Sequence, residues 1–116
     1  LPPIYPGATA GGAVRLFPAG EVLGIAEGIE TALACHVMTR LPVWSAINEG
    51  CMRKVVIPAE VRKVVVFADN DHHGKGEEAA TELARRMQQE RRSAEVRIPA
   101  LAGEDWLDVF NKEQGK

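Results

Sequence analysis

The sequence predicts an α/β sandwich built on a mainly parallel sheet of four to five strands. Short apolar runs rich in β-branched residues alternate with segments in which apolar residues recur at helical spacing. The two clearest runs, 22–26 and 64–68, contain no charged residue, which is typical of strands buried on both faces of a parallel sheet. Alternation of this kind over 116 residues favours a single compact α/β domain.

The amino-terminal part of the chain predicts a linker, an edge hairpin and a first central strand. Residues 1–12 are rich in proline and glycine and are expected to form a linker, with the folded domain covering 13–116. Residues 13–17 alternate toward a short strand, and the Pro-Ala-Gly at 18–20 is a turn signal. We therefore expect an antiparallel hairpin with the strand at 22–27, at one edge of the sheet.

The remaining elements are predicted where the sequence changes between apolar runs typical of strands and apolar residues at helical spacing. Apolar residues at helical spacing predict three helices, at 29–38, 77–92 and 105–111. β-Branched and apolar runs predict strands at 43–47, 64–68 and 94–98, with a short extra strand at 54–57. A loop is expected at 48–50, and Gly74 and Gly76 predict another loop before the longest helix.

Composition and charge narrow the class of protein. A net charge of -2 does not indicate a nucleic-acid binder by bulk electrostatics. Cys35 and Cys51 form no Cys-x-x-Cys pair, so neither a zinc site nor a disulfide framework is expected. No stretch is apolar enough for a membrane span and no signal-peptide pattern opens the chain, so we expect a cytoplasmic protein. Because the chain begins at Leu1 and not at methionine, we expect it to be a piece of a longer protein.

Acidic residues follow two of the predicted central strands, at the point where each strand ends. Glu27 comes after 22–26, and Asp69 and Asp71 come after 64–68. Because functional groups gather where the carboxyl ends of parallel strands meet, we expect these three side chains at one edge of the sheet. Carboxylate oxygens suit Mg²⁺ or Mn²⁺, usually with a phosphate completing the shell. The sequence therefore predicts a magnesium or manganese site at this edge.

Each of these acids also has a plainer interpretation. Asp69 and Asp71 lie two apart, so both face the same side of an extended chain and can hold one ion. Alternatively, the Asp-Asn-Asp loop caps the following helix. Glu27 could be a general base, a metal ligand or a carboxylate favoured at a helix amino terminus. His72 and His73 are expected to be exposed to solvent and not to bind metal.

Two further sets of residues could support the site. Gly28, Gly74 and Lys75 are candidates for contacting a phosphate, through close approach of the backbone or through charge. Asp105 and Asp108 lie three apart and would share a helix face. They could hold a second ion through water, or Asp105 could simply cap the terminal helix.

Three motifs in this order resemble the Toprim domain, the module shared by DnaG-type primases, type IA and type II topoisomerases, OLD-family nucleases and RecR-like repair proteins. They are Glu27-Gly28, Asp69-Asn70-Asp71 with Gly74, and the trailing Asp105-x-x-Asp108. The stretch 24–34 is especially similar to primase-like Toprim proteins of phages, plasmids and integrated elements. The resemblance extends from about Gly12 onward and implies the Rossmann-like Toprim fold.

The resemblance also implies roles for individual residues. Glu27 matches the family glutamate, a general acid or base and at times a metal ligand, and Asp69 and Asp71 match the magnesium-binding pair. Thr31 stands where bacterial primases usually carry an aspartate, so no further carboxylate is expected there. The implied chemistry is phosphoryl or nucleotidyl transfer, in which metal ions neutralise the developing charge.

The leading hypothesis is the catalytic module of a DNA primase-like protein that makes RNA primers on single-stranded DNA from nucleoside triphosphates. The resemblance implies flanking zinc-ribbon and helicase or polymerase domains, and an isolated fragment without activity. The enzymatic alternative is a Toprim nuclease or topoisomerase module, and nucleases of this superfamily usually add carboxylates. A docking module and a phosphorylation-dependent receiver domain are alternatives of another class. The receiver requires a lysine at the end of its last strand, which 94–98 lacks.

Overall fold

The computed structural model describes residues 13–71 and 73–115, in which strands and helices alternate. The strands of these ranges are Val22–Ala26 (β1), Val43–Ser45 (β2), Lys63–Phe67 (β3) and Ser93–Arg97 (β4). The helices are Ile29–Thr39 (α1), Glu49–Lys54 (α2), Lys75–Gln89 (α3) and Trp106–Gln114 (α4). All four strands pair in parallel, in the order β2-β1-β3-β4. The predicted α/β fold with a mainly parallel sheet is therefore confirmed.

β1 and β3 form the centre of the sheet, and their apolar side chains are buried. The register pairs Leu23 with Val64 and Ala26 with Phe67, and each of these residues is 2% exposed or less. Burying a side chain the size of valine, leucine or phenylalanine contributes roughly 1.5–3 kcal/mol. This burial on both faces explains why the two central runs contain almost no polar residue.

Helices cover both faces of the sheet. One face packs against α2 through Met52 and against α3 through Leu83. The other face packs against α1 through Cys35 and against α4 through Trp106. Both cysteines are free, and none of the four helices in the described ranges is both long and apolar enough to cross a membrane. The result is a three-layer arrangement with the sheet in the middle.

The predicted amino-terminal hairpin is wrong. Val14 forms an isolated antiparallel bridge with Ser45 of β2, in which the Val14 amide donates to the Ser45 carbonyl at 2.7 Å and the Ser45 amide donates back at 3.1 Å. β1 has β2 on one side and β3 on the other, so it has no free edge for a hairpin partner. The linker predicted at 1–12 lies outside the described residues and stays a prediction.

The segment 48–50, expected to be a loop, instead begins a helix. The Asn48 side chain accepts a hydrogen bond from the Cys51 amide at 2.8 Å and caps the amino terminus of α2. Asparagine is among the preferred residues at this position because its oxygen satisfies an amide that has no partner within the helix. A six-residue helix is too short for apolar periodicity to predict it, so the cap was its main signal.

The extra strand predicted at 54–57 is also absent from the described structure. α2 ends at Lys54, and the chain after it joins no strand ladder in the described ranges. Its apolar character has another cause, since Val55 and Ile57 are buried at 1% and 6% exposure. Their carbonyl oxygens accept hydrogen bonds from arginine side chains of the α3 region, Arg86 to Val55 and Arg92 to Ile57. The guanidinium groups thus supply these carbonyl oxygens with the hydrogen-bond donors that a neighbouring strand would otherwise supply.

Candidate functional site

The two acidic islands of the sequence lie on adjacent strands at one edge of the sheet. β1 and β3 pair in register with Ala26 opposite Phe67. Glu27 is the first residue after β1, and Asp69 is the second residue after β3. Both therefore lie just beyond the paired ends of these strands. Parallel pairing of neighbouring strands therefore brings together carboxylates that are 42 positions apart in the chain.

Glu27 lies half-buried among other carboxylates. Burial raises the pKa of Glu27 above its ordinary value, and the negative charges of Glu49, Asp69 and Asp71 raise it further. No Lys or Arg of the described ranges forms an ion pair with any of these four side chains. The edge therefore carries an excess of negative charge that the described part of the chain leaves uncompensated.

Asp69 is held by the helix at the end of the chain. Its Oδ1 accepts a hydrogen bond from the Trp106 amide at 3.2 Å, and the Trp106 ring packs edge-on against Phe67 with centroids 5.6 Å apart. Burial raises the pKa of Asp69; the Trp106 amide opposes this shift, and the charges of Asp105, Asp71 and Asp108 add to it. Asp69 thus has one oxygen bonded to the backbone of α4, and its charge interacts with those of the neighbouring carboxylates.

The residue between the two aspartates bonds to the connection between β4 and α4. The Asn70 amide donates to the Glu104 carbonyl at 2.9 Å, and its side chain donates to the Pro99 carbonyl at 2.9 Å. These bonds tie the connection between β4 and α4 to the end of β3. Asn70 therefore has a structural role between the two acidic residues.

The expected capping of α3 by Asp71 is wrong, because this helix has no side-chain cap; Asp71 instead stabilises the loop that precedes it. Its Oδ1 accepts hydrogen bonds from the backbone amides of His73 and Gly74, at 3.1 and 2.5 Å. Gly74 has a φ of 70°, a backbone conformation that favours glycine. A Cβ on Gly76 would lie 3.3 Å from Asp71 Oδ2, so the helix backbone passes close to the second oxygen.

The candidate phosphate contacts sit at the starts of two helices. Gly28 is the residue before α1 and offers no side-chain acceptor to the first amides of that helix. Lys75 is exposed and opens α3, so the predicted loop through Gly76 is wrong. The helix begins two residues earlier than expected, with Gly74 as its N-cap residue. His73 is exposed, as predicted; His72 lies outside the described residues.

Asp105 and Asp108 bond to each other's backbone. The Asp108 amide donates to Asp105 Oδ1 at 2.7 Å, and the Asp105 amide donates to Asp108 Oδ2 at 3.0 Å. This reciprocal arrangement is a capping box at the amino terminus of α4. The cap that was considered for Asp105 is present, and it occupies one oxygen of each carboxylate.

Asp105 provides a test that separates a cap from a metal ligand. We expect Asp105→Ala to lower the free energy of unfolding by about 1 kcal/mol, or roughly 4 °C in Tm, because the cap is lost. Asp105→Asn should preserve both Tm and Mg²⁺ affinity, since asparagine caps as well as aspartate does. Thermal unfolding and a Mg²⁺ titration measure the two effects. Lost Mg²⁺ affinity at unchanged Tm in the asparagine variant would instead assign Asp105 to the ion.

The donor set at the edge fits Mg²⁺ or Mn²⁺ with an incomplete protein shell. Its side-chain donors are all carboxylate oxygens, the ligands these cations prefer. Within 13–71 and 73–115, no three His, Cys, Asp or Glu side chains converge on one cation position. Magnesium is usually bound by one or two carboxylates, with water and substrate phosphates completing the octahedron. Asp69 and Asp71, each with one oxygen on the backbone, suit that role.

Glu49 was not among the residues selected from the sequence. It is the first residue of α2, and its charge is the largest single contribution from another residue to the raised pKa of Glu27. The rule that selected Glu27 and Asp69 would have selected it, because it follows β2 at the same edge of the sheet. It was placed in a loop because the short helix α2 was not recognised.

The backbone of Glu27 is fixed by the end of β2. The Ser45 hydroxyl, which is 0% exposed, donates to the Glu27 carbonyl at 2.8 Å and accepts from the Ile47 amide at 3.2 Å. The Ile47 amide also donates to the Glu27 carbonyl at 2.7 Å. Ile47 has a φ of 75°, which is rare for a β-branched residue. This cluster positions Glu27 relative to β2.

The buried thiol near the site is not a candidate nucleophile. Burial, and then the charge of Asp69, raise the pKa of Cys35 to about 12. A thiol with such a pKa stays protonated at neutral pH, and nucleophilic cysteines need the thiolate.

Comparisons with known proteins identify a matching domain family and a similar fold. The sequence model of the Toprim domain matches residues 22–115, which covers every strand and helix described above. The fold is similar to a crystal structure of a DNA primase domain from Pseudomonas aeruginosa, with a TM-score of 0.58 and 14% sequence identity. That match covers 79% of this chain and 29% of the primase domain chain, so this chain spans under a third of that structure's length. No curated protein sequence matches.

Proposed function

The chain belongs to the Toprim domain family, and from this premise we propose that it is the metal-dependent catalytic module of a DNA primase-like protein. The observation that carries the proposal is the cluster of Glu27, Asp69 and Asp71 at the ends of β1 and β3, without cationic partners in the described chain. Such a cluster is unfavourable unless a cation neutralises it. The similarity to a DNA primase domain favours primer synthesis among the reactions of the family.

The environments of the three carboxylates favour different roles. Asp69 and Asp71 would hold Mg²⁺ or Mn²⁺ through the oxygens that face away from their backbone bonds. Bound there, the ion would supply the neutralisation of charge that phosphoryl transfer requires. Burial and neighbouring charges raise the pKa of Glu27, which brings it closer to the range in which a carboxyl group can exchange protons near neutral pH. Glu27 would therefore act as the general acid or base.

Phosphate groups have two further candidate contacts at the same edge. The first amides of α1 follow Gly28 and donate to no capping side chain, and helix amino termini favour anions. Lys75 lies at the start of α3, without an ion-pair partner among the described residues. Both would contact nucleoside triphosphates brought by the parent protein to a single-stranded DNA template. Flanking zinc-ribbon and helicase or polymerase domains remain part of the proposal.

A Toprim nuclease is the second candidate, and Glu49 is the observation that favours it. Nucleases of the superfamily usually add carboxylates to the three shared ones, and the charge of Glu49 acts on Glu27. The two functions separate in an assay of the parent protein on labelled single-stranded DNA. Products longer than dinucleotides made only with nucleoside triphosphates support the primase. Cleavage of the DNA without them, lost in Glu49→Gln, supports the nuclease.

Titration with divalent cations tests the metal site directly. We expect the backbone amides of Glu27, Asp69 and Asp71 to shift together with Mg²⁺ along one saturation curve, and Mn²⁺ to broaden the same signals. Glu21 lies just before β1, at the opposite edge of the sheet, and its amide is the internal control. The proposal predicts no shift there. Three independent curves, or no saturable shift at the acidic edge, would contradict a shared metal site.

A further inference from the structure

We propose that a cavity beside Glu27 binds the nucleoside part of a nucleotide whose phosphates lie at the acidic edge. This inference rests on the proposed function, because it assigns the phosphates to the metal site of Asp69 and Asp71. The cavity has a volume of about 410 Å³, within the range of small-molecule sites. Its walls come from the first turn of α1, the end of β2 and α4: Gly28, Ile29, Glu30, Thr31, Ile47 and Leu107.

The cavity and the acidic edge share a wall. Gly28 follows Glu27 directly in the chain, and the Ile47 amide donates to the Glu27 carbonyl at 2.7 Å. The backbone that presents the Glu27 carboxylate therefore also forms one side of the cavity. We therefore place the phosphates on the carboxylate side of this shared backbone and the nucleoside on its cavity side.

The apolar walls suit a base. Ile29 and Ile47 are 43% and 48% exposed, although both lie next to a strongly charged edge. Ile47 keeps its branched side chain on the cavity in a left-handed backbone, where asparagine or glycine would be less strained. The buried Ser45 hydroxyl holds it there. Binding of a metal ion and phosphate alone would leave this apolar surface exposed, whereas the flat face of a base would cover it.

The charge of the cavity disfavours phosphate beyond the start of α1. None of its lining residues is a lysine or arginine, and Glu30 contributes a carboxylate. Beyond the first amides of α1, the Glu30 carboxylate disfavours phosphate, while ribose hydroxyls can donate to Glu30 and exchange hydrogen bonds with the Thr31 hydroxyl. The neutral part of the nucleotide is therefore the part that fits.

The test compares two ligands that differ only in the nucleoside. ATP and inorganic tripolyphosphate, each with Mg²⁺, are titrated into the chain and into Ile47→Asn, and Kd is measured by calorimetry. Asparagine tolerates the left-handed backbone, so the variant removes the apolar side chain and relieves strain. We expect Ile47→Asn to weaken ATP by about fivefold and to leave tripolyphosphate unchanged. Val56→Asn, which also replaces an exposed apolar residue but lies outside the cavity, should change neither.

Each other outcome overturns a specific claim. If ATP and tripolyphosphate bind wild-type protein equally and Ile47→Asn affects neither, the metal site stands and the nucleoside subsite falls. If the variant weakens both ligands alike, its effect passes through the metal site and the subsite also falls. If neither ligand binds wild-type protein, the proposed function fails together with this inference. Ile29→Ser, at the other apolar wall, repeats the measurement should Ile47→Asn unfold.

Discussion

Replacing Asp69 by asparagine is expected to reduce primer synthesis by the parent protein about 1000-fold while raising the Tm of the metal-free domain by about 2 °C. The activity falls because a neutral amide no longer balances the charge of the ion, whose stabilisation of the transition state is worth several kcal/mol. The fold survives because the asparagine oxygen can still accept the Trp106 amide, which Asp69 Oδ1 accepts at 3.2 Å. Stability rises because one of several mutually repelling carboxylates is removed, a modest effect at a half-exposed position.

The direction of the pH dependence follows from the raised pKa of Asp69. Burial and neighbouring charges favour the protonated form in the folded state, so the folded protein binds more protons than the unfolded chain between the two pKa values. Stability of the wild type therefore falls as pH rises through that interval. The Tm advantage of Asp69→Asn should be absent at pH values below the ordinary pKa of aspartate and fully present above the raised one. Thermal unfolding in metal-free buffer across this range measures it.

Glu21→Gln is the matched control for this experiment. Glu21 is an exposed acid just before β1, at the end away from the site, so its neutralisation should change neither primer synthesis nor the pH profile of Tm. Asp69→Ala should lose activity and also lose stability, because the Trp106 amide is left without its acceptor. Full activity of Asp69→Asn would refute the assignment of Asp69 to the metal.

Gly24→Val is expected to destabilise the domain by about 3 kcal/mol, or roughly 12 °C in Tm. Gly24 lies in the middle of β1, and a Cβ added there would meet Val43 Cγ2 at 2.8 Å and Phe67 Cε2 at 2.9 Å. Both neighbours are buried at 2% exposure or less, so neither can move without disturbing the core. The measurement is chemical or thermal unfolding of the metal-free chain.

Gly20→Val is the control because it makes the same chemical change at an open position. The nearest atoms to a Cβ on Gly20 are 3.9 Å away, an ordinary van der Waals distance, and we expect a change of less than about 0.5 kcal/mol. Equal effects of the two substitutions would show that the close approach of Val43 and Phe67 to Gly24 is not what selects glycine in β1.

The central strands could be predicted from the sequence because their burial on both faces is recorded in their composition. Val64, Val65 and Val66 are all within 1% of complete burial, and a short run of β-branched residues is typical of a strand buried on both faces. The order of the strands in the sheet has no comparable signal in the sequence. The sequence did not exclude a hairpin between 13–17 and β1, since only the order β2-β1-β3 removes its free edge.

The candidate site was predictable to the same extent. The positions of Glu27 and Asp69 after buried strands identified the edge, because the end of a strand is a local property of the sequence. Glu49 also follows a buried strand, but the sequence predicts it in a loop without a role, because α2 is a six-residue helix whose start is marked by a single capping residue. The hydrogen bonds of Asp105 and Asp108 could be anticipated as a cap, but the approach of Trp106 to Asp69 depends on how α4 packs and has no sequence signal.

The arginine bonds to the segment after α2 have a consequence for aggregation. Val55, Val56 and Ile57 are three consecutive β-branched apolar residues, a composition that promotes pairing between chains when the backbone is free. Arg86 and Arg92 occupy the carbonyl oxygens of Val55 and Ile57, which a strand from another molecule would need. These two arginines therefore protect residues 55–57 from pairing with a strand of another molecule.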